Sequence, residues 1–404
     1  MVKNTKTTRA PRPSRTPTQT CKPSVSEHVP SRSGCTLTHS LTSVELFAGA
    51  GGLSLGAAQA GFHPMLLVEM NPHAAATLRK NKHLLRVREE DIREGDVREI
   101  NFTHLRGLVD LLSGGVPCQP FSYGGKALGM EDERDLFSEF LRAIAEIQPK
   151  VFVIENVRGL LRQKFQTYVN YILLRMQHPT LAPKKNEPWE QHLVRLERLQ
   201  TQRSNHTRYN VVFHSVNAAD YGVPQIRHRV FFIGFRGDVD AKGWSFPLAT
   251  HSKIALIQKQ GSWLYKTRRQ AKMATYSFSR LFPWRTIREA LQGLPEFGTK
   301  ESQRLNHIKP TATARQYPGH EGSILDWPSK AIKAGVHGVP GGENMIVFPD
   351  GSLRYMSVRE AARIQTFPDE WVISGAWSEG MRQMGNAVPV WLAQQVFASI
   401  AQAL

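Results

Sequence analysis

The sequence predicts a doubly wound α/β sheet with a second, smaller and irregular domain. Three observations carry this. Short apolar strands alternate with helical stretches from Thr42 to Phe235, a glycine-dense turn follows the first strand, and the alternation stops between about Asp240 and Arg354. A chain of 404 residues can bury two cores. With 41% hydrophobic and 21% charged residues it is neither wholly disordered, nor collagen-like, nor a membrane bundle.

Taken in order, residues 1–40 are expected to form a disordered basic tail. Ser, Thr and Pro fill 19 of those 40 positions, too little apolar surface to offset the cost of ordering. Ser43–Phe47 reads as a buried strand, followed by the glycine turn and a small-residue helix to about Ala60. Pro64–Glu69 is a second strand, with a helix from Pro72 to Lys82. Leu108–Ser113 is a further strand, ended by a Gly-Gly-Val-Pro-Cys turn, and Asp135–Glu146 is helical. Val151–Glu155 and Tyr209–Val216 repeat the strand pattern, and Val230–Phe235 follows closely enough to pair with the latter. The Arg-, Lys- and Gln-rich stretch 162–208 reads as an insertion on the sheet's edge. Ser357–Thr366 and Val390–Leu404 are helical. The expected division is therefore a tail (1–40), an α/β domain (41–239, with the insertion 162–208), an irregular domain (240–354) and a C-terminal segment (355–404).

Net charge is +18, unevenly spread. Segments 1–40, 162–208 and 240–354 carry +6, +6 and +9, so the remainder is slightly acidic. Three basic segments on a near-neutral body point to a polyanion partner, the alternative being a high isoelectric point without function. No run of 18 apolar residues and no apolar stretch after the basic N-terminus appear, so neither a membrane span nor a secretory signal is expected. The three cysteines, Cys21, Cys35 and Cys118, make no disulfide framework and lack metal-ligand spacing, which suits a reducing cytosol and no metal.

Phe47-Ala-Gly49-Ala-Gly51-Gly52-Leu53 follows a strand and opens a helix, where glycines admit a ligand close to the backbone. Glu69 ends the next strand, the position of an acid that holds ribose hydroxyls. Ser54 stands where a third glycine would cradle a pyrophosphate, which argues against a dinucleotide. Asp96 could accept from an adenine amino group, although alone it reads as a solvated loop acid. Pro117-Cys118-Gln-Pro, on a turn past a strand's carboxyl end, favours an exposed nucleophilic thiol over a buried one. Glu155, at the tip of an apolar strand, suits either a desolvated general acid or a helix-N-terminal carboxylate. Alternation puts Arg227 and Arg229 on one face, fit for a phosphate or base carbonyl, or merely for a solvated edge strand; His228 earns no catalytic role.

Together these stretches resemble the bacterial DNA (cytosine-5) methyltransferases of restriction–modification systems. The resemblance runs in order through Phe47–Leu53, Glu69, Pro117-Cys118-Gln119, Glu155-Asn156-Val157, Gln225-x-Arg227-x-Arg229, Arg359–Phe367 and Gly385-Asn-Ala-Val-Pro389. It implies a Rossmann-like sheet dependent on S-adenosylmethionine. Phe47, Gly49, Gly51, Gly52, Leu53, Glu69, Asp96, Pro117, Asn386 and Val388 would bind that cofactor, with no metal. It also implies that Cys118 is the nucleophile, Glu155 the acid facing the cytosine, and Arg229 with Arg227 its O2 partners. The cytosine would be flipped out of double-stranded DNA, under a mobile loop at Ser122–Asp135. Segment 240–354, including His337–Asn344, would be the target-recognition domain. A monomer working in the bacterial cytoplasm beside a cognate restriction endonuclease follows from the same resemblance. A tRNA cytosine-5 methyltransferase and an inactive DNA-binding homologue are the alternatives; the missing third glycine disfavours an NAD-linked dehydrogenase.

Overall fold

Seven strands make one sheet in the order β3-β2-β1-β4-β5-β7-β6. They are β1 (Thr42–Leu46), β2 (His63–Glu69), β3 (Ile92–Glu94), β4 (Leu111–Gly115), β5 (Val151–Val157), β6 (Tyr209–Asn217) and β7 (His228–Arg236). This computed structural model describes residues 40–117, 136–200, 208–261, 281–318, 320–334 and 344–404. The tail, Cys21 and Cys35, Cys118, the loop 122–135 and most of His337–Asn344 lie outside them. Strands β1 to β5 are parallel to their neighbours, whereas β7 runs antiparallel to both β5 and β6. The order reverses between β1 and β4, the switch point beside which open α/β sheets bind ligands.

The helices follow from local chemistry. α1 (Gly52–Gln59) starts after Gly51, whose φ of 85° suits glycine. α2 (Pro72–Lys80) is capped by Asn71, which accepts from the N–H groups of His73 and Ala74, with proline at its first position. A single helical turn, α3 (Lys82–Leu85), follows. α4 (Phe137–Ile147) buries Phe137, Phe140, Leu141, Ala143, Ile144 and Ile147 on one stripe. α5 (Gln166–Gln177) and α6 (Trp189–Gln200) come next, then α7 (Lys253–Gln260), α8 (Ile287–Leu291) and α9 (Lys300–Arg304). α10 (Val358–Ile364) begins with a capping box between Ser357 and Glu360. It is followed by α11 (Trp377–Asn386) and α12 (Val390–Ala401).

Each sheet face has its own core. Val44, Leu46, Leu112, Phe152, Ile154 and Phe232 meet α4 and α5 on one side. Leu111, Val153, Phe231 and Ile233 meet α1 and α12 on the other. α1 and α12 touch closely: a Cβ on Gly56 would lie 2.5 Å from that of Ala393. The C-terminal helix thus packs beside the glycine turn's own helix.

Three expectations are corrected. Segment 162–208 is no mere edge insertion, because α5 buries Tyr168, Val169, Tyr171, Ile172 and Leu174 in the core against the sheet. Its Arg and Gln residues masked that apolar stripe. β4 starts at Leu111 rather than Leu108, which is 54% exposed, and runs through Gly114 and Gly115. A glycine pair usually marks a turn, but a Cβ on Gly114 would lie 2.6 Å from the Leu46 carbonyl oxygen and 2.8 Å from the Phe140 ring. Glycine is there because the strand is crowded. Finally, Trp244 and Phe246 pack onto the core of the main sheet, so its body extends past residue 239. By contacts, residues 40–404 form one compact unit. Within 240–354 the described residues form two small sheets: Ser323–Ile324, Met345–Val347 and Leu353–Tyr355 in one, and His251–Ser252 with Phe282–Pro283 in the other.

Candidate active site

The glycine turn leaves β1 at the switch point. Phe47 (φ 57°), Gly49 (φ 55°) and Gly51 (φ 85°) are all left-handed, which reverses the chain within a few residues. A Cβ on Gly51 would strike Leu78 and Trp371, and one on Gly52 would overlap the Val388 carbonyl. Val388 itself is buried, and its peptide closes against the turn; Asn386, at the end of α11, is exposed. Gln365 holds this C-terminal segment by donating from Nε2 to the carbonyls of Met384 and Ala387.

Glu69 clamps the turn from below. Its Oε2 accepts from Gly49 N–H and its Oε1 from Asn71 N–H, both at 2.7 Å. Burial nevertheless raises its pKa above the usual carboxylate range, against the pull of those N–H groups. The Met70 N–H also bears on this carboxylate, so of its roughly four lone-pair sites about one is left for a hydroxyl. Asp96 differs. It caps the turn 97–99 and pairs with its neighbour Arg98, Oδ2 lying 2.5 Å from Nη2. That pair lies on the partly exposed surface, and a ligand would have to compete with Arg98 for the carboxylate.

The second cluster lies at the tips of β4, β5 and β7. The ladder pairs Gly115 with Glu155, and antiparallel β7 brings Arg229 opposite Val157. Glu155 is 6% exposed, and Arg229 Nε lies 2.6 Å from its Oε1. Burial raises the Glu155 pKa, while Arg229 and Arg227 oppose the rise. A Cβ on Gly115 would come within 3.3 Å of Glu155 Oε2, so glycine there leaves the carboxyl its room. Asn156 donates from Nδ2 to the Val116 carbonyl at 3.2 Å, tying β5 to the segment that leads through half-buried Pro117 toward position 118.

Arg227 departs from the expectation that it shares a face with Arg229. It precedes β7, is 1% exposed, and donates to the carbonyls of Ile332 (3.0 Å) and Gly385 (2.6 Å). Gln225 joins the same network, accepting from Ile332 N–H and donating to Gln365 Oε1. Before the ladder begins there is no alternation to obey, and the buried carbonyls claim the guanidinium. Gln225, Asn156 and Gln365 received no role from the sequence, since no spacing rule marks a buried amide.

The structure thus gathers two groups of the sequence-predicted residues along the carboxyl-terminal edge of the sheet. Phe47, Gly49, Gly51, Gly52, Leu53, Glu69 and Val388 belong to the first; Glu155, Arg229 and Pro117 belong to the second. Among the described residues no cluster of three or more His, Cys, Asp or Glu side chains could hold a metal. No described helix is long and apolar enough to cross a membrane.

The family described as C-5 cytosine-specific DNA methylase matches residues 41–178 and 191–402. The chain is 34% identical over 390 residues to the Type II methyltransferase M.Eco47II of Escherichia coli, covering 90% of this chain and 79% of that one. It is 33% identical over 372 residues to the Type II methyltransferase M.NgoMIV of Neisseria gonorrhoeae, covering 90% and 98%. Among solved structures, the Dnmt2 methyltransferase of S. pombe superimposes with a TM-score of 0.54 at 16% identity, covering 90% and 98%, a likeness of fold.

Proposed function

Because the chain belongs to the C-5 cytosine-specific DNA methylases, we propose that the two clusters above are the halves of one active site. In it a methyl group passes from S-adenosylmethionine to C5 of a cytosine flipped out of duplex DNA. The observation that carries this reading is the Glu155–Arg229 pair, a buried acid and a guanidinium at the strand tips beside the glycine turn.

The residues of the turn fit the methyl donor. A backbone cradle that a Cβ would fill at Gly51 and Gly52, with an acid beneath it, suits a nucleoside without a pyrophosphate. When bound, the donor supplies an electrophilic methyl on a sulfonium. Phe47 and Gly49–Leu53 would enclose it, Glu69 would take the ribose hydroxyls, and Asn386, Val388 and Pro117 would complete the walls. Asp96 would take the adenine amino group once freed from Arg98.

The protein's own residues then divide the work. Cytosine C5 is a poor nucleophile, so Cys118 adds as a thiolate at C6 and makes the ring an enamine able to take the methyl group. Glu155, its proton favoured by burial, donates to N3 and stabilises that addition. Arg229 orients Glu155 and faces O2. Loss of the C5 proton and of the thiol completes the exchange. Arg227 acts differently, as a strut that holds the Gly385–Val388 segment against the turn.

Segment 240–354 is assigned to target recognition, and the basic tail to phosphate contacts without sequence preference. A monomer acting in the bacterial cytoplasm beside a cognate endonuclease is the context this implies. The match to the C-5 cytosine-specific DNA methylases favours DNA over tRNA as the substrate. Bisulfite sequencing of DNA from a host expressing the protein tests the reading: one sequence should carry 5-methylcytosine, and Cys118→Ala should abolish it. Undiminished methylation by the variant would remove Cys118 from the mechanism.

A further inference from the structure

The chain that leaves the tip of β5 carries charge of one sign. Between Glu155 and Glu187 it has six Lys or Arg residues and no Asp or Glu. Between Asp220 and Asp238, the stretch that enters and forms β7, it has no acid either. Arg158, Arg162 and Lys164 lead the first run. They lie in or between two short turns, Arg158–Leu161 and Gln163–Phe165, that follow Val157 directly. Lys164 Nζ rests 4.7 Å from the centre of the Phe165 ring. The lip beside Glu155 is therefore basic.

The guanidiniums at this edge are not equivalent. Arg229 meets Glu155, and Arg227 meets buried carbonyls. Arg158 is exposed and has no hydrogen bond or ion pair among the described residues. The β5–β7 ladder ends with Val157 opposite Arg229, so Arg158 comes one step past that pair on β5's side and His228 one step before it on β7. His228 is exposed as well, and its ring responds to Arg158: burial first, then Arg158, lower its pKa, while Asp220 opposes them. Asp220 is itself engaged, accepting from Trp284 Nε1 at 2.8 Å. That leaves the Arg158 guanidinium as the charge of the pair.

A base held against Glu155 and Arg229 stays joined through its sugar to two phosphates, and flipping draws that backbone across the strand tips. Three residues of extended chain, about 10 Å, separate Arg158 from Glu155. That span is comparable to the one from a pyrimidine ring to the phosphates of its own nucleotide. We propose that Arg158 seats a phosphodiester flanking the target cytosine, holding the strand while Glu155 and Arg229 hold the base. The inference rests on the reading of the Glu155–Arg229 pair as the base pocket. A planar guanidinium can take two phosphate oxygens at once. Neutralising one phosphate also releases counterions, which steepens the fall of log affinity with log salt by about 0.9.

The test is binding of the full chain, with S-adenosylhomocysteine present, to a duplex carrying the sequence that bisulfite sequencing returns. In further duplexes a neutral methylphosphonate replaces, in turn, each of the two phosphates flanking the target cytosine. Arg158→Gln should weaken binding of the unmodified duplex about tenfold and flatten the salt slope by about 0.9. Arg158→Lys, which keeps the charge, should keep the slope. At one of the two positions the methylphosphonate should do the same to wild type and nothing further to R158Q, a non-additivity that assigns the contact. Additive losses at both positions, or unchanged affinity of R158Q, would overturn the proposal and leave the base pocket intact. Lys185→Gln, the same charge change beyond the far end of α5, should show no such coupling; the same non-additivity there would mean an effect of net charge and would equally sink it. A wild type that methylated no cytosine in duplex DNA would overturn the base pocket, and this proposal with it.

Discussion

Gly114 allows a quantitative test of the claim that the β1–β4 junction sets the site. Its backbone conformation is one that any residue adopts, so Gly114→Ala carries no φ penalty and acts through sterics alone. The added methyl would sit 2.6 Å from the Leu46 carbonyl oxygen and 2.8 Å from the Phe140 ring, where ordinary contact begins at 3.4 Å. The shortfall is about 0.8 Å on the strand side. Phe140 is fully buried and cannot turn outward, so β1 and β4 must part. Overfilling a packed core in this way costs about 1–3 kcal/mol, read as a lower urea midpoint at unchanged slope. The functional cost should exceed the stability cost. Leu46 leads directly into Phe47 and the glycine turn, and Gly114 lies three residues before Pro117, so both halves of the site move apart together. A displacement approaching 1 Å costs on the order of a hundredfold in rate. Methyl transfer to duplex DNA, measured under conditions where the variant is fully folded, should fall accordingly. Gly243→Ala, whose methyl would meet nothing within 4 Å, is the control and should stay within about 0.5 kcal/mol of wild type. If Gly114→Ala matched that control in both stability and rate, the junction would not govern the site.

Two further substitutions separate holding from reacting. Glu69→Ala should weaken S-adenosylmethionine binding by about 1.5–3 kcal/mol with little change in DNA affinity; calorimetry showing unchanged binding would restrict Glu69 to holding the Gly49 and Asn71 N–H groups. Arg227→Met should lower the unfolding free energy of the cofactor-free protein by about 1–3 kcal/mol for each buried carbonyl, of Ile332 and of Gly385, that it leaves without a donor. A rate loss at unchanged stability would instead return Arg227 to the reacting face.

Much of the site was legible because it is written in local patterns. The apolar run of β1, the glycines that must adopt positive φ, and an acid at the end of β2 each follow from neighbours a few residues away. So did Glu155 at the tip of β5, since an uninterrupted apolar strand ending in an acid leaves little choice of depth. The match of Phe47–Leu53 and Glu155–Val157 to a known family rests on that same local economy.

What the tertiary structure alone decided lies between residues far apart in the chain. Two arginines separated by one position looked equivalent, yet Arg229 meets Glu155 across a β ladder while Arg227 binds carbonyls 105 and 158 residues away. Gly114 looked like a turn until the Leu46 carbonyl and the Phe140 ring showed why a strand needs glycine there. Periodicity and turn chemistry act over a few residues and can be read from the chain. Burial and a polar group's final partner are set by whichever distant segments the fold packs against it.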